Sequence, residues 1–161
     1  MNEHYEKMID QVKKRLEEFN IKCDCINGCF IARSDSEHGF LGSIIVDTTE
    51  EMVILMEMLP SAVGEEMKSE LSFAVNAVNA VLPFGKYFIT PLADEENENA
   101  LSYHIVYAIN GLVYDGEFTA GTLDFIVRNS LQEIMEYGTK LLALMNGKTT
   151  ASEIVNEIGE Y

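Results

Sequence analysis

The side chains with the greatest chemical potential are the cysteines, and all three fall in one stretch, Cys23-x-Cys25-x3-Cys29. Clustered thiolates suggest zinc. A structural zinc site needs four ligands, usually from two Cys pairs or from one pair completed by histidines. No second pair follows, and His4, His38 and His104 are scattered, with no i,i+4 or His-x-x-Glu spacing. In an extended segment Cys23 and Cys25 share a face with Ile21, which predicts buried thiols acting as small apolar side chains. A Cys–His nucleophile pair finds no supporting motif. Gly147-Lys148-Thr149 echoes the end of a phosphate loop, but Leu142 stands where the first glycine is required, and the segment follows a helix instead of opening one. Neither Gly-x-Ser-x-Gly nor Gly-x-Gly-x-x-Gly occurs. Asp94, Glu95, Glu96 and Glu98 could draw a cation, yet a calcium loop alternates its acids around a central glycine, and this stretch does not. It reads as a solvated acidic loop over 92–100. The expectation is therefore no catalytic residue, no cofactor-binding residue and no metal ligand: the chain binds rather than reacts.

Composition narrows what it binds. The 161 residues are 47% hydrophobic and 24% charged, which suits one globular domain with a real core. Twenty-seven acidic residues against 11 basic ones leave a net charge of −16. Phosphate backbones and anionic membrane faces repel such a surface, so nucleic acid and membrane are not expected partners. A basic protein partner, or plain solubility, suits it. No apolar run approaches the roughly 18 residues that span a bilayer. The N-terminal stretch lacks the apolar core of a signal peptide, and an odd number of cysteines does not make a disulfide framework. These features predict a cytoplasmic protein.

The elements that must present any binding surface are legible from periodicity. Tyr5, Met8, Ile9, Val12, Leu16 and Phe19 follow the three-four spacing of a buried helical stripe over about 3–19, with Asn20 as its stop. Short strands over 23–26 and 29–34 flank Asn27-Gly28, the pair that suits a type I′ turn. A polar turn over 35–39 leads to a strand over 40–47, and a turn over 48–51 to an apolar run over 52–59, read as a strand buried on both faces and ended by Pro60. A second helix spans about 64–82, with Met67, Leu71, Val75, Val78 and Leu82 as its main stripe. Strands follow over 85–90 and 101–110, the latter alternating Leu101, Tyr103, Ile105, Tyr107 and Ile109 against Ser102, His104 and Asn110. After a glycine-containing turn, a long helix runs from 119 or 122 to 146, closed by Asn146-Gly147 in a left-handed cap. Thr150 and Glu153 form a capping box opening a short appended helix to 158. Tight turns pair strands antiparallel. The expected fold is one α+β domain: an antiparallel sheet of about five strands carrying N-terminal, central and long C-terminal helices.

One stretch departs from the acidic background. No charged residue occurs between Leu71 and Gly85. A helix without a charged face is buried on most sides, by its own domain or by something else. Phe73, Ala77, Ala80 and Phe84 are the candidate interface of a homodimer, where small residues beside aromatics let helices approach. The alternative is a small-molecule sensor with a pocket between sheet and long helix at Tyr103, His104 and Tyr107.

The acidic start followed by Met67, Leu71, Phe73, Asn76 and Asn79, running into Phe84-Gly85-Lys86-Tyr87-Phe88, resembles the YbjN-like family, candidate regulators of bacterial sensory transduction. The strand at 103–109 followed by a long amphipathic helix extends the resemblance over roughly 29–146, and the wider likeness is to type III secretion chaperones. The resemblance implies a small acidic dimer that presents apolar surface to a client or signalling partner. The last helix and the acidic loop depart from the family pattern.

Overall fold

The computed structural model describes residues 3–32, 40–49, 52–93, 100–112 and 120–159. The turn expected over 35–39 with His38, the acids Asp94 to Glu98 and the glycine-containing turn before the long helix lie outside the described residues.

Helix α1 (Glu3–Glu18) buries Met8, Val12 and Leu16, one residue per turn. Asn20 ends it at φ 61°, a left-handed conformation that asparagine tolerates better than most residues. Strands β1 (Asp24–Ile26) and β2 (Cys29–Ala32) form the expected hairpin, with Asn27 and Gly28 at φ 52° and 82° as a type I′ turn requires. Then come β3 (Ser43–Thr48), β4 (Met52–Val63), a 3-10 turn over Glu65–Met67, α2 (Lys68–Val81), β5 (Lys86–Ala93) and β6 (Leu101–Leu112). Helix α3 (Ala120–Glu133) continues through a π turn (Ile134–Gly138) into α4 (Thr139–Met145), capped by Gly147 at φ 66°. The last helix, α5 (Ala151–Gly159), opens on the expected box: Glu153 Oε2 accepts from the Thr150 N–H at 2.8 Å and Thr150 Oγ1 from the Glu153 N–H at 3.2 Å.

Among the described residues the six strands form one antiparallel sheet, ordered β1-β2-β3-β4-β6-β5, one strand more than expected. Pro60 does not end β4. Between the pairs Met58–Val106 and Ala62–His104, three residues of β4 face Ile105 alone, so Pro60 sits in a bulge where its missing N–H breaks no ladder bond. Nor is β4 buried on both faces: Val53, Leu55, Glu57 and Leu59 are buried, whereas Met52, Ile54, Met56 and Met58 are only half-buried. The difference arises because the described helices all pack on one side, over Val46, Leu55, Ile105 and Ile109.

Helix α2 lies beside β5, an edge strand. Asn79 donates to the Tyr87 carbonyl at 2.9 Å and accepts from the Tyr87 N–H at 2.8 Å, so its amide stands in for a neighbouring strand.

Candidate functional site

Cross-strand register sets Ala32, Ile44, Glu57, Tyr107 and Tyr87 in one row along the inner face of the sheet. Glu57 is wholly buried there, and its Oε1 accepts from the Leu41 and Gly42 N–H groups, each at 2.5 Å. Its Oε2 has no hydrogen-bond partner among the described residues. Burial pushes its pKa up from 4.5 to about 7, and the two backbone donors only partly offset this. Across the core, Glu133 projects from the end of α3, also buried. One of its oxygens accepts from the Phe84 N–H at 3.1 Å; the other accepts from the Gly85 N–H at 2.9 Å and from the Tyr107 hydroxyl at 2.6 Å. Tyr87 donates to the Glu133 carbonyl at 3.2 Å, and the two tyrosine rings lie 5.1 Å apart. Desolvation, with the nearby carboxylates, raises both tyrosines well above the ordinary phenol value. Gly85 makes this reach possible, since a Cβ there would lie 2.2 Å from the Tyr107 hydroxyl.

Two buried carboxylates invite an acid–base reading. A general acid or base must touch the proton it moves. Glu133 spends both oxygens on donors of its own chain, and Glu57 is sealed under Leu41 and Gly42. Their visible effect is positional: Glu133 ties the loop after α2 to the end of α3.

That loop carries Phe84, 50% exposed although its backbone is bound to a buried carboxylate. Its ring meets Phe125 of α3 edge-on, centroids 5.0 Å apart. Phe73, Val81 and Phe125 are exposed as well. Of the residues expected at an interface, Phe73, Ala80 and Phe84 are thus solvent-exposed and Ala77 is half-buried. The core side of α2 is Leu71, Ala74, Val75 and Val78. A second apolar surface lies on the outer face of the sheet, where no described element packs: Ile31, Ile45, Ile54, Met56, Met58, Val106 and Phe88.

The structure does not bring the three expected pocket residues together. Tyr103 and Tyr107 point into the core, and His104 lies on the opposite face of β6, bonded to Ser102 at 3.1 Å. Tyr103 instead donates to Glu65, with the Lys68 ammonium 5.0 Å above its ring; these bonds hold Glu65 below the usual carboxylate range. A groove of about 370 Å³ does exist, between α2 and β5, lined in part by Ser72, Asn76, Asn79 and Ile89. The cysteines are not buried thiols: Cys25 is exposed and Cys23 and Cys29 half-buried, because the hairpin lies at the sheet edge. Among the described residues no cluster forms a metal site, and no helix is long and apolar enough to cross a membrane.

Glu57 and Glu133 were not anticipated from the sequence. The available signal was phase: Glu57 alternates with Val53, Leu55 and Leu59, and Glu133 falls on the turn after Ile126, Val127 and Ser130, all buried.

No protein-family model matches the chain, and no curated protein matches it. Its fold is that of the crystal structure of YbjN from E. coli, there called a putative transcription regulator: TM-score 0.62 at 14% identity, covering 88% of this chain and 94% of that one. An uncharacterised protein from Methanothermobacter thermautotrophicus aligns at a TM-score of 0.47 and 12% identity, covering 84% of this chain and 97% of that one.

Proposed function

We propose that this chain is a non-enzymatic protein-binding module of the YbjN-like kind, regulatory or chaperone-like, working in the cytoplasm as a homodimer. The observation that carries the reading is Phe84, an exposed aromatic on a backbone fixed by buried Glu133 and a ring braced by Phe125. A large apolar side chain held in place before binding loses little entropy on contact, which is the character of an interface anchor. With Phe73 and Val81 it forms a continuous target for an apolar segment. The net charge of −16 favours a segment flanked by lysine or arginine and disfavours direct contact with nucleic acid. Regulation, the role named for YbjN, would therefore run through a protein partner.

The test is affinity capture from the native organism with wild type and with Phe84→Ser/Phe125→Ser, both checked for folding by circular dichroism. Wild type should retain a basic protein that the variant loses by at least about tenfold, the effect of removing one or two anchors. Equal capture by both proteins sinks the aromatic surface as the binding site.

A further inference from the structure

The outer face of the sheet, on which no described element packs, has the charge pattern of a self-complementary surface. Its central row, read edge to edge through the strand registers, is Asp24, Ile31, Ile45, Met56, Ala108, Lys86. The row begins with an acid on β1, ends with a base on β5 and carries four uncharged residues between. We propose that two copies of the chain pack outer face to outer face, about a two-fold axis parallel to the strands and lying between β3 and β4. This rests on the reading above that the chain is a homodimer, and it puts the contact on the sheet instead of on α2.

The rotation reverses the row, so each contact occurs twice with its partners exchanged. Ile45 meets the second copy's Met56. Ile31, 41% exposed, meets the small Ala108 of the second copy. Asp24 meets the second copy's Lys86, whose ammonium also donates to the carbonyls of Asn79 at 2.7 Å and Leu82 at 3.4 Å at the end of its own α2. Turning the second copy about an axis along the row instead would set Asp24 on Asp24 and Lys86 on Lys86, so the end charges select one orientation. Face-packed sheets stand about 10 Å apart and within about 30° of alignment, a geometry that long Ile, Met and Lys side chains can fill. Met58, Val106 and Phe88 extend the apolar surface in the next row, and Asp47 and Asn110 bound it on the other side. A chain of net charge −16 repels its copy almost everywhere; this face is a place where it does not.

Sedimentation of the full chain, from micromolar to submillimolar concentration, tests the proposal. Wild type should be a dimer, and Met56→Glu/Val106→Glu a folded monomer. Asp24→Lys and Lys86→Asp should each weaken the dimer by roughly tenfold, two exposed pairs being lost per dimer. Combined, the two substitutions should restore wild-type affinity, which a merely structural defect would not do. A wild type that stays monomeric, a double swap that fails to rescue, or a dimer broken by Phe73→Lys but not by Met56→Glu/Val106→Glu each overturn the proposal. A monomer that still captures its partner through Phe84 refutes only the dimer, and a dimer that captures nothing refutes only the binding surface.

Discussion

The two faces of β4 run opposite to the usual rule for a half-covered sheet. Its covered face carries a buried glutamate among Val53, Leu55 and Leu59, and its uncovered face carries Met52, Ile54, Met56 and Met58. An antiparallel sheet with one solvated side ordinarily puts its charges outward and keeps its core apolar. Each departure has a different physical meaning. The inward carboxylates cost desolvation that only backbone and tyrosine donors offset, so they report positions that must not move. The outward methionines lose nothing by exposure except water's cohesion, and their flexible thioethers adapt to whatever covers them.

The comparison can be broken first on the buried side. Glu133→Ala strips acceptors from the Phe84 and Gly85 N–H groups and from the Tyr107 hydroxyl. Leaving these donors, two of them buried, without a partner should cost about 3–5 kcal/mol, or roughly 6–20 °C in Tm for a chain of this length. A shift in Tm under about 2 °C would show that solvent satisfies those donors and that the network positions nothing.

Neighbouring residues on one strand give the next test. Leu55→Ala, on the covered face, should cost about 3 kcal/mol in chemical denaturation, and Met56→Ala, on the other, under about 1 kcal/mol. Equal costs measured on monomer would mean that something covers the outer face. Both should therefore be measured at several protein concentrations, since self-association would make the Met56 cost rise with protein concentration and shrink as the dimer is diluted.

The titration of Glu57 is the subtlest probe. Its folded pKa of about 7 lies above the ordinary 4.5, so the folded state holds the proton more tightly than the unfolded chain. The contribution to stability is complete below pH 4.5, declines as pH rises, and is lost above about pH 7. At about 1.4 kcal/mol per pH unit, this amounts to about 3 kcal/mol at most. Glu57→Gln keeps an acceptor for Leu41 and Gly42 and cannot ionise. The stability gap between variant and wild type should therefore move in the variant's favour between pH 5 and pH 8. A gap that stays constant over that range would show that Glu57 is ionised in the folded state throughout, as it is in the unfolded chain.

Much of the scaffold was readable from the chain. Asn27-Gly28, Asn146-Gly147 and Thr150 with Glu153 are local instructions, satisfied by the few residues around them, and each appears as expected. The alternation in β6 likewise assigns Tyr103 and Tyr107 to one face by geometry alone. What periodicity does not report is which face of a sheet the helices choose. β4 therefore looked doubly buried, when its outer residues are half-exposed. The site was less legible for a related reason: Glu57, Glu133, Tyr87 and Gly85 come from separate strands, a loop and a helix, and only tertiary packing joins them. Phe84 could be named from its lack of charged neighbours. That a buried carboxylate fixes its backbone could not.

The Asn79 clamp on Tyr87 acquires a further significance once one face of the sheet is seen to carry no described element. A sheet that is sticky on its face and open along its edge could grow in two directions and precipitate as fibre. Asn79 occupies the outward hydrogen-bonding groups of Tyr87, Pro91 has no N–H to offer two residues beyond Ile89, and the opposite edge, β1, is only three residues long. Both edges thus offer few free pairing groups, and growth of the sheet by strand addition is disfavoured.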